Sequence, residues 1–570
     1  MDPMESELHN GFATSDDNSA YDDHGWKEVV EYNGFQTSDA NHHEYNEWKD
    51  VVYTKRNQKQ NPEDKEANGD VSDNIVPDGS KKAEDQRQAA KLVVADVEEE
   101  QNGSRAARDE NVKAGEIKKP KPRRKKKKNT KVSLSEAAAK IDPSHLSEFL
   151  VKQALEPGTS QLVEFLEYFE TAFSQVSAVQ FPWMEMFNNN CPLSTVIDVI
   201  DVPLSYILEP VYNASADWID QLPDIKVSNF VKWASKNIRT DLAEEEEVII
   251  DCEKDEFHEK VALYVALAMV LRRKPHSLIG LLPAMWTDIS AKYRKLDEVP
   301  FTVWMMAQAS QGDLSVGLHS WAHILLPLVA DKKCNSQSRD YILQLVENIL
   351  SNPEASTILV NGTLSEGKRL IPPHVFEGLL RLTFPASSAR VKDTERFESI
   401  YPLLKEVTLA GAPGSETMKQ IFTSTLKLAG EGNAILANEA TSIAIWLVAE
   451  DPDCFNLWDS IYNEENLEAS VALLKKLVDE WKDHSLKLSS SPGDILTLKR
   501  TINSLRKKNV KAITEGRANA SLYIEADKSC KVISGRLSRG TGCLICTAIT
   551  AVLLAAAGAA AAAITTGSFL

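Results

Sequence analysis

Between residues 362 and 368 the chain reads Gly362-Thr363-Leu364-Ser365-Glu366-Gly367-Lys368, behind the apolar run Ile358-Leu359-Val360. Two glycines and a lysine at this spacing belong to loops whose backbone N–H groups cradle phosphates while the lysine reaches them. The next position must supply a Ser or Thr hydroxyl to hold magnesium; here it is Arg369, and Glu366 places a negative charge inside the cradle. Val248-Ile249-Ile250-Asp251 imitates the companion metal-binding strand, but it precedes the loop and follows four glutamates. With no alternation of strands and helices around these segments, nucleotide binding is not expected. His319 and His323 sit four apart around Trp321, which puts both on one helix face. No carboxylate follows at ligand spacing, so a partly buried pair of ordinary histidines is expected rather than a metal site. Cys543 and Cys546 form a C-x-x-C at the border of an apolar stretch. There they read as palmitoylation sites or plain small apolar residues, not a redox pair. His-Glu-x-x-His, Gly-x-Ser-x-Gly and Gly-x-Gly-x-x-Gly are all absent from the sequence. The expectation is a protein that is not an enzyme and uses no cofactor, metal or small-molecule substrate.

The elements around these residues point elsewhere. Gly542 to Ile564 carries no charge and gains its apolar character from Leu544, Ile549, Leu553 and their neighbours. As a helix this stretch is about 34 Å long, enough for a hydrocarbon core of about 30 Å. A transmembrane helix is therefore expected at 542–564, with 565–570 as a short lumenal tail. Being so near the end, it is expected to be tail-anchored, with the lipid bilayer as its first partner. Lys528, Lys531, Arg536 and Arg539 flank it on the N-terminal side only, which predicts a cytosolic body. Two interior apolar stretches do not qualify. Val261 to Leu271 is too short to cross, and Leu436 to Ala449 contains Asn438 and Glu439, so both are expected to be core helices.

The chain has 570 residues, a net charge of −19 and seven scattered cysteines, an odd number that fits a reducing compartment better than a disulfide framework. Residues 1–117 are acidic and poor in aliphatic residues, and are read as disordered; no signal peptide opens them. Within them Trp26-Lys27-Glu28-Val29-Val30 recurs as Trp48-Lys49-Asp50-Val51-Val52. The repeat is either a neutral duplication or a linear docking motif in which Trp26, Val29 and Val30, or Trp48, Val51 and Val52, contact a protein partner. Residues 118–131 form a polybasic linker. In Lys118 to Lys128, nine basic residues and two prolines stand in eleven positions. Lys118, Lys119, Arg123, Arg124, Lys125 and Lys126 are candidates for contact with anionic lipid or with ribosome and RNA phosphates. No aromatic residue interleaves with them, so base stacking is unsupported.

From Val132 the texture turns helical. Ser133 with Glu136 reads as a capping box, and Asp142-Pro143 as an N-cap with proline at the first helical position. Apolar stripes of 3.6-residue period follow at Leu162 to Val176, Tyr341 to Leu350, Arg396 to Leu409, Glu416 to Leu428 and Leu467 to Trp481. The fold class expected for 132–518 is all-α, a HEAT- or armadillo-like helical-repeat solenoid, followed by a basic juxtamembrane segment at 519–541. Within the body, Asp494 to Arg517 is a basic amphipathic helix with Ile495, Leu498, Ile502, Leu505 and Ala512 on one face. It either lies on the cytosolic leaflet, with Lys499, Arg500, Lys507 and Lys508 toward anionic head groups, or packs as an edge helix of the body.

The Trp-Lys-x-Val-Val segments, the basic run, and above all Arg396-Phe397-Glu398-Ser399-Ile400-Tyr401-Pro402 and the stretch from Trp446 to Trp458 resemble the transmembrane protein 214 family in its plant form. The resemblance covers most of the chain and implies an endoplasmic reticulum membrane protein. For animal members it implies recruitment of an initiator caspase during ER-stress apoptosis. The expected function is a membrane-anchored scaffold or adaptor in the endoplasmic reticulum, or another membrane of the secretory pathway, presenting its helical domain to cytosolic protein partners. The alternative is a membrane tether for ribosomes or RNA through the basic run.

Overall fold

The computed structural model describes residues 132–155, 161–176, 181, 187, 200–244, 257–291, 299–331, 334–364, 369–411, 414–488 and 492–538. All of them fall in one packing unit. The expected capping box opens the first helix, α1 (Leu134–Ala138): the Glu136 amide donates to Ser133 Oγ at 3.2 Å, and the Ser133 amide to Glu136 Oε2 at 3.0 Å. Asp142 Oδ1 accepts from the Ser144 amide at 2.9 Å where α2 (Pro143–Leu155) begins. The stripe that follows forms α3 (Gln161–Ala172), and Leu162, Phe165, Leu166, Phe169, Phe173 and Val176 are all buried.

Next come α4 (Glu209–Asp220), α5 (Asp224–Glu244) and α6 (Phe257–Arg273). Every residue from Val261 to Leu271 is buried, so α6 is a core helix, as its length predicts. It packs on α3, α4 and α5 and on α8 (Val299–Gly312), with α7 (Leu282–Ala291) between them in sequence. Residues Val299 to Ser310 of α8 are likewise buried without exception. Phe187, Tyr264, Phe301 and Trp304 meet across this junction with ring centroids 5.4–6.1 Å apart, in the stacked and edge-on arrangements that aromatic quadrupoles prefer.

A polar network lies at one end of this core. Arg272 donates to Gln308 Oε1 at 2.7 Å and to the Ile200 carbonyl at 2.7 Å, and Gln308 Nε2 donates to that same carbonyl at 2.5 Å. Trp304 Nε1 donates to the Val202 carbonyl at 3.1 Å. Buried donors are thus satisfied by the backbone they hold in place. The ends of α6 and α8 also touch: a Cβ on Gly312 would stand 2.0 Å from the Arg272 carbonyl oxygen.

The chain continues through α9 (Leu314–Ser320), a π turn over Trp321–Leu325, and α10 (Leu326–Ala330). Then follow α11 (Ser336–Ser351), α12 (Ala355–Asn361), α13 (Pro373–Thr383) and α14 (Lys392–Leu409). After these come α15 (Glu416–Ala429), α16 (Ala434–Glu450), α17 (Asp453–Ser460), α18 (Leu467–Asp479), α19 (Trp481–Leu488) and α20 (Pro492–Thr514). A last helix, α21, covers residues 520–538. Contacts join helices near one another in sequence: α11 with α14, α13 with α15, α15 with α16 and α18, α17 with α20. The expected core helix over Leu436 to Ala449 is α16, with Leu436, Ile443, Ala444, Leu447 and Val448 buried.

The class is all-α. Among the described residues there is no strand, only an isolated bridge between Val132 and Val176. Within the body, α6 over Val261 to Leu271 and α8 over Val299 to Ser310 are buried on every side. Among the described residues no helix is long and apolar enough to cross a membrane. The expected span, Gly542 to Ile564, lies outside the described residues, as do its Leu544, Ile549 and Leu553.

Candidate functional site

The two stretches carrying the family resemblance turn out to be joints between helices. Arg396 donates through Nε and Nη2 to both carboxylate oxygens of Glu347 at 2.7 Å, and through Nη1 to Asp340 at 2.6 Å, locking α14 to α11. Opposed carboxylates and two-pronged hydrogen bonding keep its guanidinium pKa above the usual arginine range. Phe397, Ile400 and Tyr401 are buried. The Tyr401 hydroxyl donates to Glu439 at 2.7 Å, and Lys405 reaches the same oxygen at 2.6 Å, tying α14 to α16. In the second stretch, Trp458 is fully buried and donates to Ser470 Oγ at 3.0 Å. These residues hold the body together.

The segment ahead of the phosphate-loop spacing is a helix. Ile358, Leu359 and Val360 lie in helix α12, so the strand that must precede such a loop is missing; Ser365 to Lys368 lie outside the described residues. Arg369, in the magnesium position, donates to the Ala410 carbonyl. The histidine pair is real but incomplete as sequence alone presents it. The rings of His319 and His323 are 4.0 Å apart, and His374, at the start of α13, brings its ring to 6.4 Å from His323. Sequence offers no signal for this third member, because it arrives from a different helix. Burial pushes the His374 pKa down to about 4, so the imidazole is neutral. Among the described residues no three His, Cys, Asp or Glu side chains are placed to hold a metal ion. Cys334, Cys454 and Cys530 are buried thiols outside any disulfide. Burial, with Asp451 and Asp527 beside them, pushes the Cys454 and Cys530 thiols up to about 12, leaving both unreactive.

The basic amphipathic helix is the element with a surface of interest. It is α20, and its apolar residues Leu498, Ile502, Leu505 and Ala512 are buried against the body. Of the two arrangements the sequence leaves open, its apolar face takes the packed one, against α17 and α21. Three bonds hold it there: Tyr462 to Asn509 Oδ1 at 2.6 Å, Lys508 to Asp459 at 2.8 Å, and Arg506 to Asp527 at 3.5 Å. Arg500 and Lys507 stand on the exposed side, while Lys499 and Lys508 are half-buried. α20 and α21 are joined by a turn in which Gly516 and Asn519 take φ of 64° and 62°, a left-handed backbone that Gly and Asn tolerate best. The Arg506–Asp527 pair across that turn makes the two helices an antiparallel hairpin. Tyr523, Ala526, Cys530, Ile533 and Leu537 form the buried face of α21. The Trp26, Val29, Val30, Trp48, Val51 and Val52 docking candidates, and the basic run with Lys118, Lys119, Arg123, Arg124, Lys125 and Lys126, lie outside the described residues.

The class these observations define is an all-α protein of tightly interlocked helices. A family model described as "TMEM214, C-terminal, caspase 4 activator" matches residues 265–566, just over half of the chain, and the chain belongs to this family. Transmembrane protein 214-A of Xenopus laevis is 24% identical over 281 residues, covering 49% of this chain and 38% of that protein. Transmembrane protein 214 of Homo sapiens is 26% identical over 231 residues, covering 40% of this chain and 31% of that protein. The Mus musculus protein is 24% identical over 280 residues. The chain thus spans less than two-fifths of the length of these curated relatives. No solved structure matches.

Proposed function

We propose that this chain is a non-enzymatic scaffold anchored in the endoplasmic reticulum membrane through residues 542–564. Its helical body, and the Trp-containing arm ahead of the basic run, face the cytosol and engage protein partners there. The observation that carries this reading is one of continuity. The family-matched region runs through residue 566 and so includes both the packed hairpin and the uncharged stretch that follows it. The relatives' printed name, Transmembrane protein 214, supports the membrane. The description of the family as a caspase 4 activator supports an adaptor role in stress or cell-death signalling. Helices α13 to α18, which keep outer faces, are the platform on which such partners assemble.

The test is alkaline-carbonate extraction of membranes carrying the full chain, beside a variant lacking 542–564. The full chain is expected in the pellet and the variant in the wash; a full chain that washes off overturns the reading. Glycan addition at Asn213 or Asn361, both sequons in the body, would equally contradict a cytosolic face. The basic run favours a second reading, a tether for ribosomes or RNA. It predicts salt-sensitive co-sedimentation with ribosomes, abolished when Lys118 to Lys128 are neutralised.

A further inference from the structure

The hairpin of α20 and α21 turns its aliphatic residues inward, yet its outer face is not simply polar. On α20, Leu496 and Val510 are 58% and 49% exposed, and between and beside them stand exposed Arg500, Lys507 and Lys511. On α21, Ile524 and Val532 are 56% and 38% exposed, with exposed Lys528 and Lys531 in the same stripe. Helical spacing explains the grouping: 496, 500, 507 and 511 share one side of α20, and 524, 528, 531 and 535 one side of α21.

Acidic side chains are withdrawn from this face. Asp527 is buried beneath Arg506 and Lys531, at 3.5 and 2.6 Å, and Glu525 turns to Lys475 of α18 at 2.7 Å. Among the described residues from 493 to 538, Glu515 of the connecting turn is the one exposed acid, and it is paired with Arg517 at 2.9 Å and with Lys511 at 3.7 Å. In a chain of net charge −19, a face dominated by cations and aliphatic side chains, with Asn503 as its exposed amide, calls for a partner that is negative and apolar at once. A phosphate polymer meets only the first requirement; an anionic leaflet meets both.

The position agrees. Three residues, Arg539 to Thr541, separate the end of α21 from Gly542, so the helix end stands within about 14 Å of the first residue of the apolar stretch. Resting on the membrane reading above, the geometry points to the outer face of this hairpin as a docking surface for anionic phospholipid, seated on the leaflet that 542–564 enters. The sequence already offers Arg500 and Lys507 for such contact; the aliphatic residues beside them are hidden, because the stripe that catches the eye in α20 is the one that packs inward.

The test inserts the full chain from outside into preformed vesicles of phosphatidylcholine, or of phosphatidylcholine with phosphatidylserine. A membrane-impermeant amine acylating reagent then labels lysines, read by peptide mass spectrometry. Lys507, Lys511 and Lys528 are compared with Lys392 and Lys427, exposed elsewhere on the body. With phosphatidylserine present, the hairpin lysines are expected to label several-fold more slowly, and high salt is expected to reverse the protection. Each basic residue neutralised should weaken docking on the order of fivefold, and each one reversed to Glu should weaken it further. The combined variant Arg500→Glu, Lys507→Glu, Lys528→Glu, whose sites make no ion pair that holds the fold, should lose protection at Lys511 while remaining carbonate-resistant. Equal labelling in both vesicle types, with the chain still carbonate-resistant, overturns this inference and leaves the anchor standing. A chain that carbonate removes overturns both. Protection that needs added RNA and no anionic lipid overturns the assignment to lipid.

Discussion

Arg396 holds two carboxylates of another helix, and a lysine in its place has neither the fork nor the reach to do so. Arg396→Ala strands Glu347 and Asp340 opposite an empty site and is expected to cost about 2 kcal/mol. A drop of several degrees in apparent Tm would show it, with Arg396→Lys recovering less than half. His374 carries a different prediction. Its folded pKa, near 4, lies below the ordinary 6.5, so between these values the unfolded chain binds the proton and the folded one does not. The stability tied to the neutral ring is therefore complete above about pH 6.5 and is lost as pH falls toward 4. A loss of about 1–3 kcal/mol is expected in urea midpoints across that window, flattened in His374→Phe.

At the scale of elements, the closest approach between α6 and α8 is the most demanding joint. Gly312→Ala puts a methyl against the Arg272 carbonyl, a backbone atom that cannot swing away. About 1–3 kcal/mol of destabilisation is expected, read as an earlier thermal transition, with the helices pried apart at that end. Tyr462→Phe leaves the buried Asn509 oxygen without its donor, and a similar cost is expected by the same measurement. Which elements form was largely legible beforehand. The 3.6-residue stripes of α3, α11, α14, α15 and α18 mark their inward faces, because burying such a stripe is what stabilises a helix in a protein. The length of the Val261 to Leu271 run identified a core helix. What joins the elements was not legible. Arg272 and Gln308 meet Ile200 from 72 and 108 residues away, and His374 joins a pair 51 and 55 positions earlier. No local pattern encodes such meetings. The outward aliphatic residues of the hairpin escaped notice for a related reason: Leu496 and Val510 are 14 positions apart, too sparse to register as a stripe.

For the whole molecule, the family match and the packing disagree about where a separable piece begins. The match starts at residue 265, in the middle of α6, after the buried residues Val261 to Tyr264. A fragment starting there loses part of that helix and all of α3, α4 and α5, which cover it. It is expected to aggregate on size-exclusion chromatography, whereas a fragment spanning 132–538 is expected to elute as a single species. A soluble, cooperatively melting 265–538 fragment would contradict this.

The enclosed helix α6 has a further consequence, for biosynthesis. Three of its covering helices are made before it, but α8, which closes the remaining side, is translated only afterwards. A growing chain that has released Val261 to Leu271 and not yet Val299 to Ser310 therefore carries an apolar ridge with nothing over it. That interval is when a holding chaperone has a reason to engage, and when slow translation across 274–312 would leave the nascent protein most prone to self-association.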